Sequence, residues 1–333
     1  MNLQKWLIVA AAMSASAFAD LQYEMTSRAT GGSIVSMPIV GSRMKEPHTV
    51  NHYIKGNKMA TVSKGSSTIW DLDAGNVTTV NTDKKTYSVM TFEEMRATME
   101  ESMKKMQDAM ASKQKDVDYT WTINVTDAGD EKTVAGFTAH HYILSMIGSA
   151  TDANSGNTAG MKMQIDNWTA KDVPGVKEYQ EFNKRLAEKM GLDVSSSMNP
   201  MVRAQLGKGW ETAAKELAKI QGFTVLSTVK TISMANGEEV MVPENSQKMP
   251  SGGEIVKESA TSAVLGRIPG GLGGFGRKKK SDDQQQPAAQ NGKMVPSTLI
   301  EMTTELTNLS NGVDASAFSV PAGFKKVEEK RGR

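Results

Sequence analysis

From Asp20 to Met90, apolar and polar residues alternate in short runs, and turn residues close each run. This period of two constrains the chain most, because only a strand sends successive side chains to opposite faces. Leu21, Tyr23 and Met25 alternate with polar neighbours, and Val50, His52 and Ile54 do the same. Lys55-Gly56-Asn57-Lys58 reads as a hairpin turn into MATVS. Ile69-Trp70-Asp71-Leu72, VTTV and TYSVM follow, separated by DAGN and NTDK. Short alternating runs at this spacing predict an antiparallel meander with one packed face and one wet face.

The period then changes. Thr91-Phe92-Glu93-Glu94 has the form of a capping box, with Thr91 as N-cap and Glu94 three positions on. Behind it Phe92, Met95, Met99, Met103, Met106 and Met110 follow steps of three and four, which mark one face of a helix. Glu100, Lys104, Asp108 and Lys115 occupy the other face. Strands resume at Tyr119, Trp121, Ile123 and Val125, and Asp127-Ala128-Gly129-Asp130 reads as a turn before KTVAGF and AHHYILSM. A polar stretch, GSATDANSGNTAG, leads to MKMQIDNWTAKDVPG. Pro174-Gly175 then opens a helix carrying Val176, Tyr179, Phe182, Leu186 and Met190, which Gly191 stops. A second helix is expected from about Pro200 to Gln221, with Leu206, Ala213, Leu217 and Ile220 inward and Gly222 as its stop. FTVL returns the chain to strand, and Ile300, Met302, Thr304 and Leu306 mark another strand near the C-terminus. The class is α+β: an antiparallel sheet with a methionine-rich helix and a later helix pair.

The chain divides as a signal peptide over residues 1–19, one domain over 20–327 and a charged tail over 328–333. Lys5, the apolar run from Trp6 to Met13 and Ala17-Phe18-Ala19 form the three parts of a secretory signal, with cleavage expected after Ala19. The apolar run is too short to span a bilayer, which takes about 20 apolar residues. A periplasmic or secreted protein is therefore expected, one that does not span the membrane after cleavage. Residues 250–293 are rich in Gly, Lys and Gln and poor in large apolar residues, and read as a flexible insertion, with a short helix near Val256 to Leu265.

Composition removes several classes of chemistry. The chain has no cysteine, so it has no disulfide, no zinc–thiolate site and no thiol nucleophile. Of its 39 basic residues Lys5 leaves with the signal, so 38 stand against 37 acidic ones and the mature chain carries +1. Near-neutrality gives no electrostatic reason to bind nucleic acid.

Gly271, Gly273 and Gly276 spell G-x-G-x-x-G. A dinucleotide loop must follow a strand and open a helix whose N-terminal N–H groups hold the pyrophosphate. Here Pro269 precedes the glycines, and Arg277-Lys278-Lys279-Lys280-Ser281-Asp282-Asp283 and a Gln-rich run follow. The match reflects glycine content, and no nucleotide is implied. His140 and His141 are adjacent on a strand and point to opposite faces, so they cannot chelate one ion, and no metal or other cofactor is expected. No G-x-S-x-G, H-E-x-x-H or supported S-x-x-K motif occurs, which leaves no catalytic residue and a non-enzymatic reading.

Methionine is the compositional outlier, at 23 residues against 8 Phe and 5 Trp. A helix on a sheet needs an apolar face, and methionine makes one. Methionine also suits adaptable apolar sites. The candidate lining of such a site is Phe92, Met95, Met99, Met103, Met106 and Met110, with Trp70 and Trp121 on strands.

NHYIKGNKMATVS, STIWDLDAGNVTTVNTDKKTYSVMTFEEM and DEKTVAGFTAHHYIL resemble successive blocks of a family of exported bacterial proteins known as domain of unknown function four-four-one-two. WTAKDVPG, GFTVL and FSVPAGFKKV are similar to its later blocks. The family brings no catalytic residues with it. A more distant fold-level likeness is to the periplasmic lipoprotein-carrier proteins, which implies a curved sheet, an incomplete barrel, closed by helices over an apolar cavity. The partners expected from this are a lipid or acyl chain, or, for a filled-core interaction module, another envelope protein.

Overall fold

The structure is a computed structural model that describes residues 20–37, 40–113, 117–152, 156–191, 210–244 and 293–328. Residues 1–19, expected to be a signal peptide, Leu206 and the 250–293 stretch up to residue 292 lie outside them. The first six strands are β1 (Leu21–Gly31), β2 (His48–Lys55), β3 (Lys58–Ser63), β4 (Ser66–Asp71), β5 (Asn76–Asn81) and β6 (Thr86–Thr91). A short helix, α1 (Val40–Lys45), lies between β1 and β2. Helix α2 (Phe92–Lys113) follows β6 directly. Its capping box forms in both directions: Glu94 N–H donates to Thr91 Oγ1 at 3.1 Å, and Thr91 N–H donates to Glu94 Oε2 at 2.9 Å.

Three long strands come next, β7 (Val117–Val134), β8 (Phe137–Asp152) and β9 (Thr158–Ala170). They correct two expectations. Asp127-Ala128-Gly129-Asp130 does not turn the chain but bulges it. Asp127 pairs with Tyr142 and Glu131 with His140, so three residues of β7 stand opposite His141 alone. Gly129 supplies the left-handed φ of +74°, and the Asp127 carboxylate accepts its N–H at 2.9 Å. The reversal comes later, at Ala135-Gly136, where both φ are positive. Both ends of the polar stretch 148–160 also belong to the sheet, residues 148–152 to β8 and 158–160 to β9, because small residues there pack. Ala150 and Ala159 pair across β8 and β9 and are wholly buried.

Helices α3 (Val176–Lys189) and α4 (Trp210–Leu217) precede β10 (Phe223–Ala235). Helix α4 ends at Leu217, before the expected Gln221. Three short strands follow, β11 (Glu238–Glu239), β12 (Met241–Pro243) and β13 (Met294–Pro296). The last of these precedes the long β14 (Thr298–Asn311), and the chain closes with β15 (Lys325–Lys326). β12 pairs β13, so the chain leaves at Glu244 and returns at Lys293 across one hydrogen bond.

The main sheet runs in the order β15-β6-β5-β4-β3-β2-β1-β14-β10-β9-β8-β7, with β11 on β10. It is open, and it is antiparallel except for the two-residue parallel pair of β15 with β6. At the far edge α4 covers part of β7. The Glu216 carboxylate accepts the Val125 N–H at 2.8 Å, which satisfies an edge donor. Lys219 and then that N–H hold the Glu216 carboxyl below its usual range.

One face carries the main core. Leu21, Tyr23, Ile54, Val77, Phe92, Ala139, Ala170, Phe182, Val225 and Leu306 form one buried cluster. Helix α3 sits on it through Phe182, which is 0% exposed. Gly175 caps that helix at φ +79°, and a Cβ there would lie 2.5 Å from Leu21 Cδ1, so only glycine lets α3 start so close to β1. On the opposite face Ala60, Ile69 and Val80 form a second cluster, covered by Phe318, Val320 and Phe324 from the C-terminal segment. Among the described residues no helix is long and apolar enough to cross a membrane.

If Phe182 is the anchor of α3, Phe182→Ala should lower the unfolding free energy by about 3–5 kcal/mol, the cost of emptying a sealed aromatic site. Urea denaturation of the variant against the parent chain measures it.

Candidate functional site

A cleft of about 290 Å³ lies between α3 and the sheet. Tyr23 and Met25 of β1 and His52 of β2 form its floor. Val176, Tyr179 and Gln180 of α3 form one wall, and Gly222, Phe223 and Thr224 at the start of β10 form the other. The β1–β2 register sets Tyr23 directly opposite His52, and their rings stack with centroids 4.5 Å apart and planes 8° from parallel. Phe223 and Tyr179 meet Tyr23 edge-on at 5.3 Å and 6.1 Å, and meet each other edge-on at 5.8 Å. Such edge-to-face contacts hold the three rings in one rigid group.

Burial governs the titrating groups. It pushes the Tyr23 hydroxyl well above the ordinary phenol value, with Tyr179 adding to the effect. It also moves His52 below the ordinary imidazole value, because a charged ring loses its water there. His52 Nδ1 lies 3.4 Å from Thr61 Oγ1.

A second cleft, of about 300 Å³, lies at the C-terminal half of α3. Asn57, Leu72, Asp73, Arg185, Glu188 and Lys189 line it. Three of its polar side chains are engaged: Asn57 Nδ2 donates to Asp73 Oδ1 at 2.8 Å, and Arg185 donates to the carbonyls of Gly56 and Glu181 at 3.1 and 3.3 Å.

The residues singled out in the sequence are only partly brought together. Phe92 is buried in the main cluster, and Trp70, Met95 and Met99 pack against it, with the Trp70 and Phe92 rings 6.3 Å apart. The two clefts are lined by other residues. The side chains of Met103, Met106 and Met110 lie outside the described residues. Trp121 stands elsewhere, on edge strand β7, where it is 36% exposed and its ring covers Gly148.

The adjacent histidines take separate partners. His140 Nε2 is 2.6 Å from Asp127 Oδ1, whose carboxyl this contact and the Gly129 N–H hold below its usual range. His141 stacks on Trp168 at 4.2 Å, between Asp130 and Asp166, each 3.4 Å away. Lys132 Nζ lies 3.8 Å above the same Trp168 ring. Among the described residues no group of three or more His, Asp or Glu is placed to hold a metal ion.

No protein-family model matches the chain, and no curated protein matches it. What the cleft can do follows from its own residues. Its lining combines aromatic walls and one imidazole with a few hydroxyl and amide groups. Such a set suits the burial of apolar surface.

The lowered imidazole gives a signed pH test. The folded form of His52 binds its proton less readily than the unfolded chain, so its contribution is complete above pH about 6.5 and is lost as the pH falls below it. His52→Phe, which keeps a ring over Tyr23, should therefore gain on the parent chain in unfolding free energy between pH about 7 and pH about 5. Denaturant titrations at those two pH values decide it.

Proposed function

We propose that the chain is an exported, non-enzymatic binding protein that holds a lipid, acyl chain or other apolar group against one face of its sheet. The observation that carries this is the aromatic cleft between α3 and strands β1, β2 and β10. Burial of apolar surface would supply the affinity, at about 25 cal/mol per Å². The secretory pattern of residues 1–19 supports a periplasmic setting, and the block resemblance to the four-four-one-two family supports the same compartment.

The finer shape we propose is a curved sheet, an incomplete barrel, with α2 and α3 over its concave side. Support comes from the main cluster, which joins Val77 of β5 to Ala139 of β8. Phe92 of α2 and Phe182 of α3 enter that same cluster, so both helices lie over one face, an arrangement compatible with the proposed shape.

The test is residues 20–333, secreted and purified without detergent, then extracted for bound lipid by mass spectrometry. Met25→Trp fills the cleft, and Met99→Asp places a charge under α2. Stoichiometric lipid in the parent chain, lost in folded Met25→Trp but kept in Met99→Asp, supports the cleft as the site. Loss in Met99→Asp alone moves the site beneath α2. No lipid in the parent chain favours the second reading, an interaction module for another envelope protein, for which the exposed Trp121 on edge strand β7 is the specific observation.

A further inference from the structure

The two clefts along α3 are nearly equal in volume and opposite in chemistry. The one at the C-terminal half of the helix holds Asp73, Arg185, Glu188 and Lys189. The one at the N-terminal half has no Asp, Glu, Lys or Arg in its lining. Helix α3 carries charged residues throughout its sequence VKEYQEFNKRLAEK, but none of those in its N-terminal half lines the cleft there. From this we infer that the N-terminal cleft selects ligands whose bound portion carries no formal charge, a neutral acyl or aryl group, and discriminates against carboxylates and alkylammonium ions of the same shape. The inference rests on the binding function proposed above and adds the chemical class of the ligand.

Three features carry it. A charged head brought into the cleft would lose water and find no counter-ion among the lining residues, which makes its transfer unfavourable. His52 is the one lining group able to become a cation near neutral pH, and burial keeps it uncharged there. The ring geometry disfavours a cation. Tyr23, Tyr179 and Phe223 spend their contacts on one another, edge to face at 5.3 to 6.1 Å. They form a wall and not a cage of ring faces around an empty centre. A neutral hydroxyl, ester or amide has partners enough, in the Gln180 amide, the Thr224 hydroxyl and the His52 imidazole. The opposing influence is the N-terminus of α3, whose partial positive charge would favour a carboxylate, although the Val176 N–H already donates to the Val173 carbonyl at 3.3 Å.

Three probes with one tail separate these influences: decanol, decanoate and decylammonium, each displacing a neutral naphthylamine dye from the lipid-extracted chain at pH about 8, where the two ionic probes are charged. The expected result is that decanol displaces the dye at a concentration at least about tenfold lower than either ion. Decanoate or decylammonium equal to decanol, or tighter, overturns the inference while leaving apolar binding in place. Failure of the dye and of all three probes to bind overturns both. Gln180→Lys supplies a cation at an exposed lining position and should strengthen decanoate relative to decanol by about tenfold. Unchanged decanoate affinity in that folded variant would show that charge in the lining does not set selectivity and would overturn the inference.

Discussion

The docking of α3 on β1 is the contact on which the site depends. Phe182 is sealed beneath the helix, and the missing side chain at Gly175 lets the first turn sit against Leu21. Together they fix how far the helix stands from the strands. The cleft is the space left where Val176 and Tyr179 meet Tyr23, His52 and Phe223 without filling the gap between them. Aromatic rings suit that place, because a few of them span the distance and lock at right angles where aliphatic chains would repack.

A wide open sheet has edges and two faces to protect, and this one uses a different device at each. On the far side of the meander the C-terminal segment lays Phe318, Val320 and Phe324 over Ala60, Ile69 and Val80. β15 then borders β6. At the other edge α4 approaches β7 and takes the Val125 N–H with a carboxylate. A second chain adding to β7 would have to displace that bond, which lowers the risk of edge-to-edge growth.

The local elements were legible in the sequence because their signals are local. The alternation at Leu21, Tyr23 and Met25, the hairpin at Gly56-Asn57, the capping box at Thr91 and the apolar spacing from Val176 to Met190 all describe neighbours within a few residues. Asp127-Ala128-Gly129-Asp130 misled because the residues that reverse a chain also bulge a strand, and pairing on both sides decides between the two. The cleft was not legible. Periodicity shows that Tyr23, His52, Tyr179 and Phe223 face inward, but Tyr23 and Phe223 are brought together only by the strand order. The methionines of α2 drew notice because they are many in one stretch. The aromatic group is assembled from four elements and leaves no concentrated trace.

That strand order bears on how the chain acquires its structure in time. β1, the first of the described strands, lies between β2 and β14, and β14 is the last but one of them. A chain emerging N-terminus first, from a ribosome or across a membrane, can close the meander of β1 to β6 early, through local hairpins. The outer face of β1 then waits, its hydrogen-bonding groups unpaired, while most of the chain is produced. Only when residues 298–311 emerge can the two halves of the sheet be joined through β14. Contacts so distant in sequence are slow to form. The interval before they do is when the waiting edge of β1 is open to pairing with another chain, and when a binding partner that shields exposed strands would be of most use.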